Sequence, residues 1–334
     1  MRNTRHLQDA ILKTLCYADI FEYPLTDEEL HRYLIASHKI SAPDGKTVLE
    51  KLHSQGLIGE EQGLYFLRGR ASLVAKRIRR RVIAGKSLTI ARRVGNWLKR
   101  IPTISMVAVT GALAMENTEE SDDIDLMIIT QRNRLWLTRG IAILLISLIA
   151  KRRKPEMTSS LHAVGKSNRP IAGRPEPGSK LRSLRRTSEK GKWRRSVCLN
   201  LFLDETSLRL PEKRRNLYSA HEVVQALPLW SRNETREKFL RENAWILDFL
   251  PNTKIPHHPG KTANVNGAAQ PLPSGNSQPG SLLENYAYQI QLHHMRPKRT
   301  RELVLPNAAY FHPRNTTRLV LSQYQKRLKR FHLM

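Results

Sequence analysis

Acid is what this chain most conspicuously has little of. Against 57 lysines and arginines stand 29 aspartates and glutamates, a formal net charge of +28 over 334 residues. Such an excess says little about fold, but it names a class of partner: a polyanion, nucleic acid first and an anionic membrane surface second. Cysteine is also scarce. Cys16 and Cys198 each sit within an apolar run, provide neither a disulfide framework nor zinc-ligand spacing, and read as buried thiols in a reducing compartment, the cytoplasm. His293, His294, His312 and His332 have no carboxylate or cysteine at ligand spacing, so no metal role is assigned to them. Long apolar runs are missing too. The most apolar, residues 141–150 (IAILLISLIA), is closed off by Arg139 and Lys151 and falls well short of the roughly 20 residues a spanning helix needs. It reads as a buried helix, and the KRRK that follows leaves peripheral membrane contact as the lesser alternative. The opening MRNTRHLQDA lacks the apolar core of a secretory signal.

What the chain does have is concentrated in residues 107–130, VAVTGALAMENTEESDDIDLMIIT. An apolar, β-prone run ends at Thr110-Gly111, a polar segment follows, and a second apolar run begins with Asp123 and Asp125. Side chains alternate faces along a strand, so these two carboxylates project from the same face. Two like charges side by side call for a compensating cation, and hard oxygen donors suit Mg²⁺ or Mn²⁺. Gly111 lies at a strand end, where the missing side chain lets backbone N–H groups approach phosphate oxygens. Together these features suit metal-assisted phosphoryl or nucleotidyl transfer.

The stretch resembles the signature of the DNA polymerase β-like nucleotidyltransferase superfamily: apolar-Gly-(Gly/Ser), a spacer, then Asp-apolar-(Asp/Glu)-apolar. Here it reads Thr110-Gly111-Ala112, then Asp123-Ile124-Asp125-Leu126. The resemblance implies that Thr110, Gly111 and Ala112 hold a nucleoside triphosphate, and that Asp123 and Asp125 are catalytic and bind Mg²⁺ or Mn²⁺. A third acid on a later strand would activate an acceptor hydroxyl. Two positions depart from the pattern. Ala112 stands where the family has Gly or Ser. The best later strand, VCLNLFL, has Asn200 as its polar member, so Asn200 occupies the third-acid position or Asp204, with Glu205 beside it, substitutes from the strand's end. The implied function is transfer of a nucleoside monophosphate from an NTP to a hydroxyl acceptor, RNA or protein. The alternative is a nucleic-acid-binding regulator whose degenerate transferase domain senses nucleotide.

The remaining pattern fills in an α+β protein. Residues 1–70 read as a winged helix-turn-helix: a first helix with Leu7, Ile11, Leu12 and Leu15 at helical spacing, a second capped by Thr26 with Glu29 closing a capping box, and a turn at Asp44-Gly45. A third helix carries Lys46 and Lys51, and an acidic two-stranded wing turns between Glu60 and Gly63. Residues 68–100 hold twelve basic residues and no acid. Apolar positions are interleaved, giving basic connecting helices over 71–100 whose Arg77, Arg80, Arg81, Arg92 and Arg93, with Lys46 and Lys51, are candidate nucleic-acid contacts. A small mixed-sheet nucleotidyltransferase core follows over 101–210, interrupted by a basic insertion without periodicity at about 158–196. Residues 211–252 read as helical, 253–281 as a flexible linker and 282–334 as a helical C-terminal part. Composition does not address oligomeric state.

Overall fold

The computed structural model describes residues 2–40, 42–149, 196–256, 282–298, 302–311 and 316–333. The expected insertion at 158–196, apart from Ser196, and most of the expected linker at 253–281 lie outside these residues.

The chain opens with α1 (Arg2–Ile20), α2 (Asp27–Arg32) and α3 (Ala42–Ser54). Thr26 caps α2 by a reciprocal pair of bonds: Glu29 N–H donates to Thr26 Oγ1 at 3.2 Å, and Thr26 N–H donates to Glu29 Oε2 at 2.9 Å. Asp44-Gly45 does not form the turn the sequence suggested, because α3 already runs through both. Strands β1 (Ile58–Glu61) and β2 (Leu64–Leu67) then pair antiparallel across Gln62-Gly63. Both turn residues have positive φ, 56° and 73°, the twist that suits a two-residue hairpin.

The basic connecting region is a single continuous helix, α4 (Ser72–Leu98). Its buried stripe of Leu73, Ala84, Leu88, Ala91, Val94 and Leu98 recurs at helical spacing and faces the core.

The centre of the molecule is a six-stranded mixed sheet. Its strands are β3 (Ile104–Val109), β4 (Ile124–Thr130), β5 (Val197–Asp204), β6 (Leu227–Ser231), β7 (Leu303–Val304) and β8 (Ala308–Tyr310), in the spatial order β6-β3-β4-β5-β8-β7. Only the β4–β5 pair is parallel, and its crossover contains α6 (Leu135–Ile149). Between β3 and β4 comes a single turn of helix, α5 (Gly111–Ala114). After β5 come α7 (Leu217–Gln225) and α8 (Thr235–Glu242), and the C-terminal part holds α9 (Leu282–Met295) and α10 (Thr316–Arg330).

Both faces of the sheet are covered. Met106, Ala108, Met127 and Ile129 share one apolar cluster with α1, α7, α8 and α10. Val107, Val109, Leu126 and Ile128 face the other way, into a cluster with α4 and α6 that α9 also packs against. The N-terminal helices therefore pack against the sheet's helical cover as well as on themselves. Arg327 on α10 donates to Asp19 on α1 at 2.9 Å, and Tyr17 meets Tyr324 edge-on at 5.6 Å.

The C-terminal part is not purely helical as expected: β7 and β8 extend the sheet beyond β5. The region after Pro211 also contains a strand, β6. Its Pro228 is tolerated because β6 is an edge strand, where a missing N–H costs least. The rest of the region expected to be helical over 211–252 includes α8 and a 3₁₀ segment, Ala244–Asp248. Nor is α6 buried throughout. Ala142 and Ile146 are enclosed, while Ile141, Leu144 and Leu148 are exposed. No described helix is long and apolar enough to cross a membrane.

Candidate active site

β3 is buried along its whole length and ends at Val109, just before Thr110. Thr110 N–H donates to the backbone carbonyl of Asp125 at 3.0 Å, tying the end of β3 to the start of β4. Gly111 then turns the chain with φ +66°, a left-handed conformation that costs glycine little and other residues more. A Cβ placed on Gly111 would lie 3.2 Å from Asp125 Oδ2. The glycine turn is thus packed directly against the second carboxylate.

Asp123 lies just ahead of β4 and Asp125 one residue inside it, both half-buried. Ile124 and Leu126, fully buried, point into the opposite cluster. The alternation expected from sequence therefore sets the two carboxylates on the face covered by α1 and α7.

The loop that delivers the pair is pinned at several points. Asn117 N–H donates to Ala112 O at 2.9 Å, and Asp122 Oδ2 accepts from Glu119 N–H at 2.7 Å. Arg80, reaching in from α4, donates to Glu119 Oε1 at 2.7 Å and to Asn117 Oδ1 at 3.0 Å. Asn117 in turn donates to Phe21 O at 2.9 Å, in the N-terminal unit.

α7 brings a third acid to which the motif does not point. Burial, then the neighbouring Asp125 charge, push the Glu222 carboxyl up to about 7, against an opposing hydrogen bond from the Tyr218 hydroxyl. Tyr218 itself is held well above the usual phenol range, by burial first and then by Glu222, Tyr17 and Asp125. One signal for Glu222 is present in the sequence. It is an acid flanked on its helix by the core positions Ala220, Val223 and Val224.

The other expected site residues fall elsewhere. Asp204 is not a third acid. It pairs with Thr130 at the far end of the parallel ladder, whereas Asp125 pairs with Cys198, and five residues of strand separate them by roughly 17 Å. Its buried carboxylate has a local task, accepting from Thr206 N–H at 2.8 Å and Asn133 N–H at 3.1 Å. Asn200 is buried at the register shift where Leu126 pairs with Leu199 and Met127 with Leu201. Cys198, expected to be buried, is half-buried.

No family model, curated protein or solved structure matches this chain. The site therefore rests on its own geometry. Among the described residues, no three His, Cys, Asp or Glu side chains gather as a ready-made metal cluster. An ion here would draw on Asp123, Asp125 and the substrate's own oxygens.

Of the expected nucleic-acid contacts, Lys46, Lys51, Arg92 and Arg93 are exposed. Arg81 is exposed and pairs with Glu116 at 3.1 Å. Arg77 and Arg80 do not belong to that surface. Arg77 grips Glu29 with both terminal nitrogens, at 2.8 and 3.0 Å, and lies over the Tyr23 ring. Burial alone would raise Glu29, but the Arg77 bond and charge hold it below the usual carboxylate range. Arg80 is buried between Glu22 and Glu119. The N-terminal unit and the loop before β4 supply the carboxylates that the arginine-rich helix lacks.

Proposed function

We propose that this chain is a metal-dependent nucleotidyltransferase that moves a nucleoside monophosphate from a nucleoside triphosphate to a hydroxyl acceptor. The observation that carries the reading is the close packing of the left-handed Gly111 turn against Asp125, the second of two carboxylates on one face. A turn without a side chain presents its N–H groups to phosphate oxygens, and the carboxylates stand beside it. The donor set fits Mg²⁺ or Mn²⁺, since such ions are commonly held by one or two carboxylates together with substrate phosphates. When bound, the ion neutralises phosphate charge and polarises the phosphoryl oxygens.

The chain's own residues supply position and a base. Thr110, Gly111 and Ala112 orient the triphosphate, and Asp123 and Asp125 set the register of the reacting end. The acceptor oxygen bonds to the α-phosphorus, the bond to the bridging oxygen breaks, and pyrophosphate leaves. Glu222, poised near neutrality beside Asp125, takes the acceptor's proton. This assigns to a helix the task that the resemblance gives to an acid on a strand.

The order of three helices and a tight hairpin at the N-terminus supports a winged-helix unit preceding the transferase core. Exposed Lys46, Lys51, Arg92 and Arg93 support nucleic acid as partner. A second reading has one observation in its favour. β5 offers Cys198 and Asn200 near the pair rather than an acid, as a nucleotide-sensing regulator would.

The deciding experiment offers labelled ATP, GTP, CTP and UTP with Mg²⁺ to total RNA, to protein and to the chain itself. Label transfer that disappears in the Asp123→Ala/Asp125→Ala variant supports the transferase. Metal-dependent binding without transfer supports the regulator, and absence of both overturns the two readings together.

A further inference from the structure

α6 and α9 lie side by side. Trp136 on α6 packs on Tyr288 of α9 with ring centroids 5.0 Å apart, and Gln291 donates to Trp136 O at 2.7 Å. Their inner faces close over the sheet. Their outer faces are covered by nothing in the described structure, and both are apolar. On α6, Ile141, Leu144 and Leu148 are 52%, 64% and 75% exposed. On α9, Leu283, Tyr286 and Ile290 are 68%, 68% and 51% exposed. Both sets follow the spacing i, i+3, i+7, so each forms a single stripe about 10 Å long. Packed helices stand roughly 8–10 Å apart, so two stripes on one pair make a contiguous patch of a few hundred Å².

The charges that α4, α6 and α9 expose are of one sign. α4, which packs against α6, contains no acid and leaves Lys86, Arg92 and Arg93 exposed. α6 contains no acid either. The one acid of α9, Glu284, is turned inward and buried, where it accepts from the N–H groups of Trp136 and Leu137 at the start of α6. Three helices thus present aliphatic side chains and cations with no exposed carboxylate.

We propose that this outer face of α6 and α9, flanked by the cations of α4, docks on an anionic lipid surface. An interfacial site of this kind combines buried apolar area with electrostatic attraction to acidic headgroups. Charge decides against the other occupants. Nucleic acid would engage the cations but gains little from five aliphatic side chains, since Tyr286 is the one ring among the six patch residues and stacking along a strand calls for several. A second copy placed face to face would bring two cationic rims together. The proposal does not depend on the chemistry at Asp123 and Asp125, since the patch lies on the opposite side of the sheet, but it gives Arg92 and Arg93 an anionic lipid surface in place of nucleic acid.

The test is co-sedimentation of the full chain with vesicles of phosphatidylcholine alone and of phosphatidylcholine mixed with phosphatidylglycerol. The wild type is expected to sediment with the mixed vesicles and far less with the neutral ones. Leu144→Ser/Leu148→Ser, at exposed positions, should keep the unfolding midpoint and weaken binding at least about tenfold. Leu144→Met/Leu148→Met should retain it. The proposal is overturned if the wild type does not bind, or if the serine variant binds mixed vesicles as well as the wild type does. It is also overturned if sedimentation velocity shows a dimer that the serine variant abolishes, which would mark the face as a contact between copies.

Discussion

Arg80 on α4 donates to Glu119 Oε1 at 2.7 Å and reaches Glu22 at 3.3 Å with another nitrogen of the same guanidinium. One buried cation therefore joins the N-terminal unit to the loop that carries Asp123 and Asp125. Its removal leaves carboxylates that retain partial access to water, which limits the loss. Arg80→Ala should destabilise the chain by about 2–4 kcal/mol, toward the lower end of what breaking a buried pair costs. Arg80→Lys keeps the charge but not the forked geometry, and should recover less than half of the loss. Urea unfolding of the three proteins measures this, and no change for Arg80→Ala would mean the network is not a support.

Gly111 makes a second, local demand. Alanine there must adopt φ near +66° with its Cβ 3.2 Å from Asp125 Oδ2. The backbone cost is about 1–2 kcal/mol, and the contact pushes the carboxylate away from its position. Gly111→Ala should therefore lower the unfolding midpoint modestly and, in the transferase reading, weaken nucleotide binding about tenfold or more. Calorimetry with Mg²⁺ and nucleoside triphosphate reads the second effect. Gly63→Ala, also at positive φ but far from the site, controls for strain alone.

Features built from near neighbours are legible in the amino-acid sequence. The Thr26–Glu29 capping box, the Gln62-Gly63 hairpin and the shared face of Asp123 and Asp125 each depend on a few adjacent residues. What the sequence hides is non-local. Nothing in Leu-Pro-Leu-Trp-Ser announces a strand, because β6 exists by pairing with β3 more than a hundred residues earlier. Arg77 and Arg80 read as solvent-facing cations because Glu29, Glu22 and Glu119 are distant in sequence. Glu222 shows in the sequence only as an acid among core positions, and the packing of α7 is what brings it toward Asp125. Asp204 misleads for the opposite reason. It is close to Asn200 in sequence, but at the wrong end of its strand.

Glu284 illustrates a cap supplied from another helix. Its carboxylate accepts from Trp136 N–H and, at 3.1 Å, from Leu137 N–H, donors that the first turn of α6 leaves without intrahelical partners. Burial raises Glu284 while those two N–H groups lower it, and the net shift is upward. Glu284→Ala should cost about 1–2 kcal/mol, the scale of a lost cap with some helix-dipole contribution. Hydrogen exchange locates the effect: the amides of Trp136 and Leu137 should exchange faster, while those of β3 and β4 keep their protection.

Glu222 gives the chain a specific pH signature. Its carboxyl titrates near 7 in the folded protein against 4.5 for the unperturbed group, so the folded state binds the proton more tightly than the unfolded state. The protonated form stabilises fully below about 4.5, and that contribution, on the order of 3 kcal/mol, is lost as pH rises to about 7 and beyond. His221, pushed by burial down to about 3, works in the other direction and erodes stability as pH falls below about 6.5. Comparing wild type with Glu222→Gln at each pH separates the two. The variant should match the wild type near pH 4.5 and be the more stable at pH 8. In the transferase reading its turnover should also be lost, where wild-type turnover climbs through pH 7 as the base ionises. Stability curves that stay parallel from pH 5 to 8 would remove Glu222 from the site.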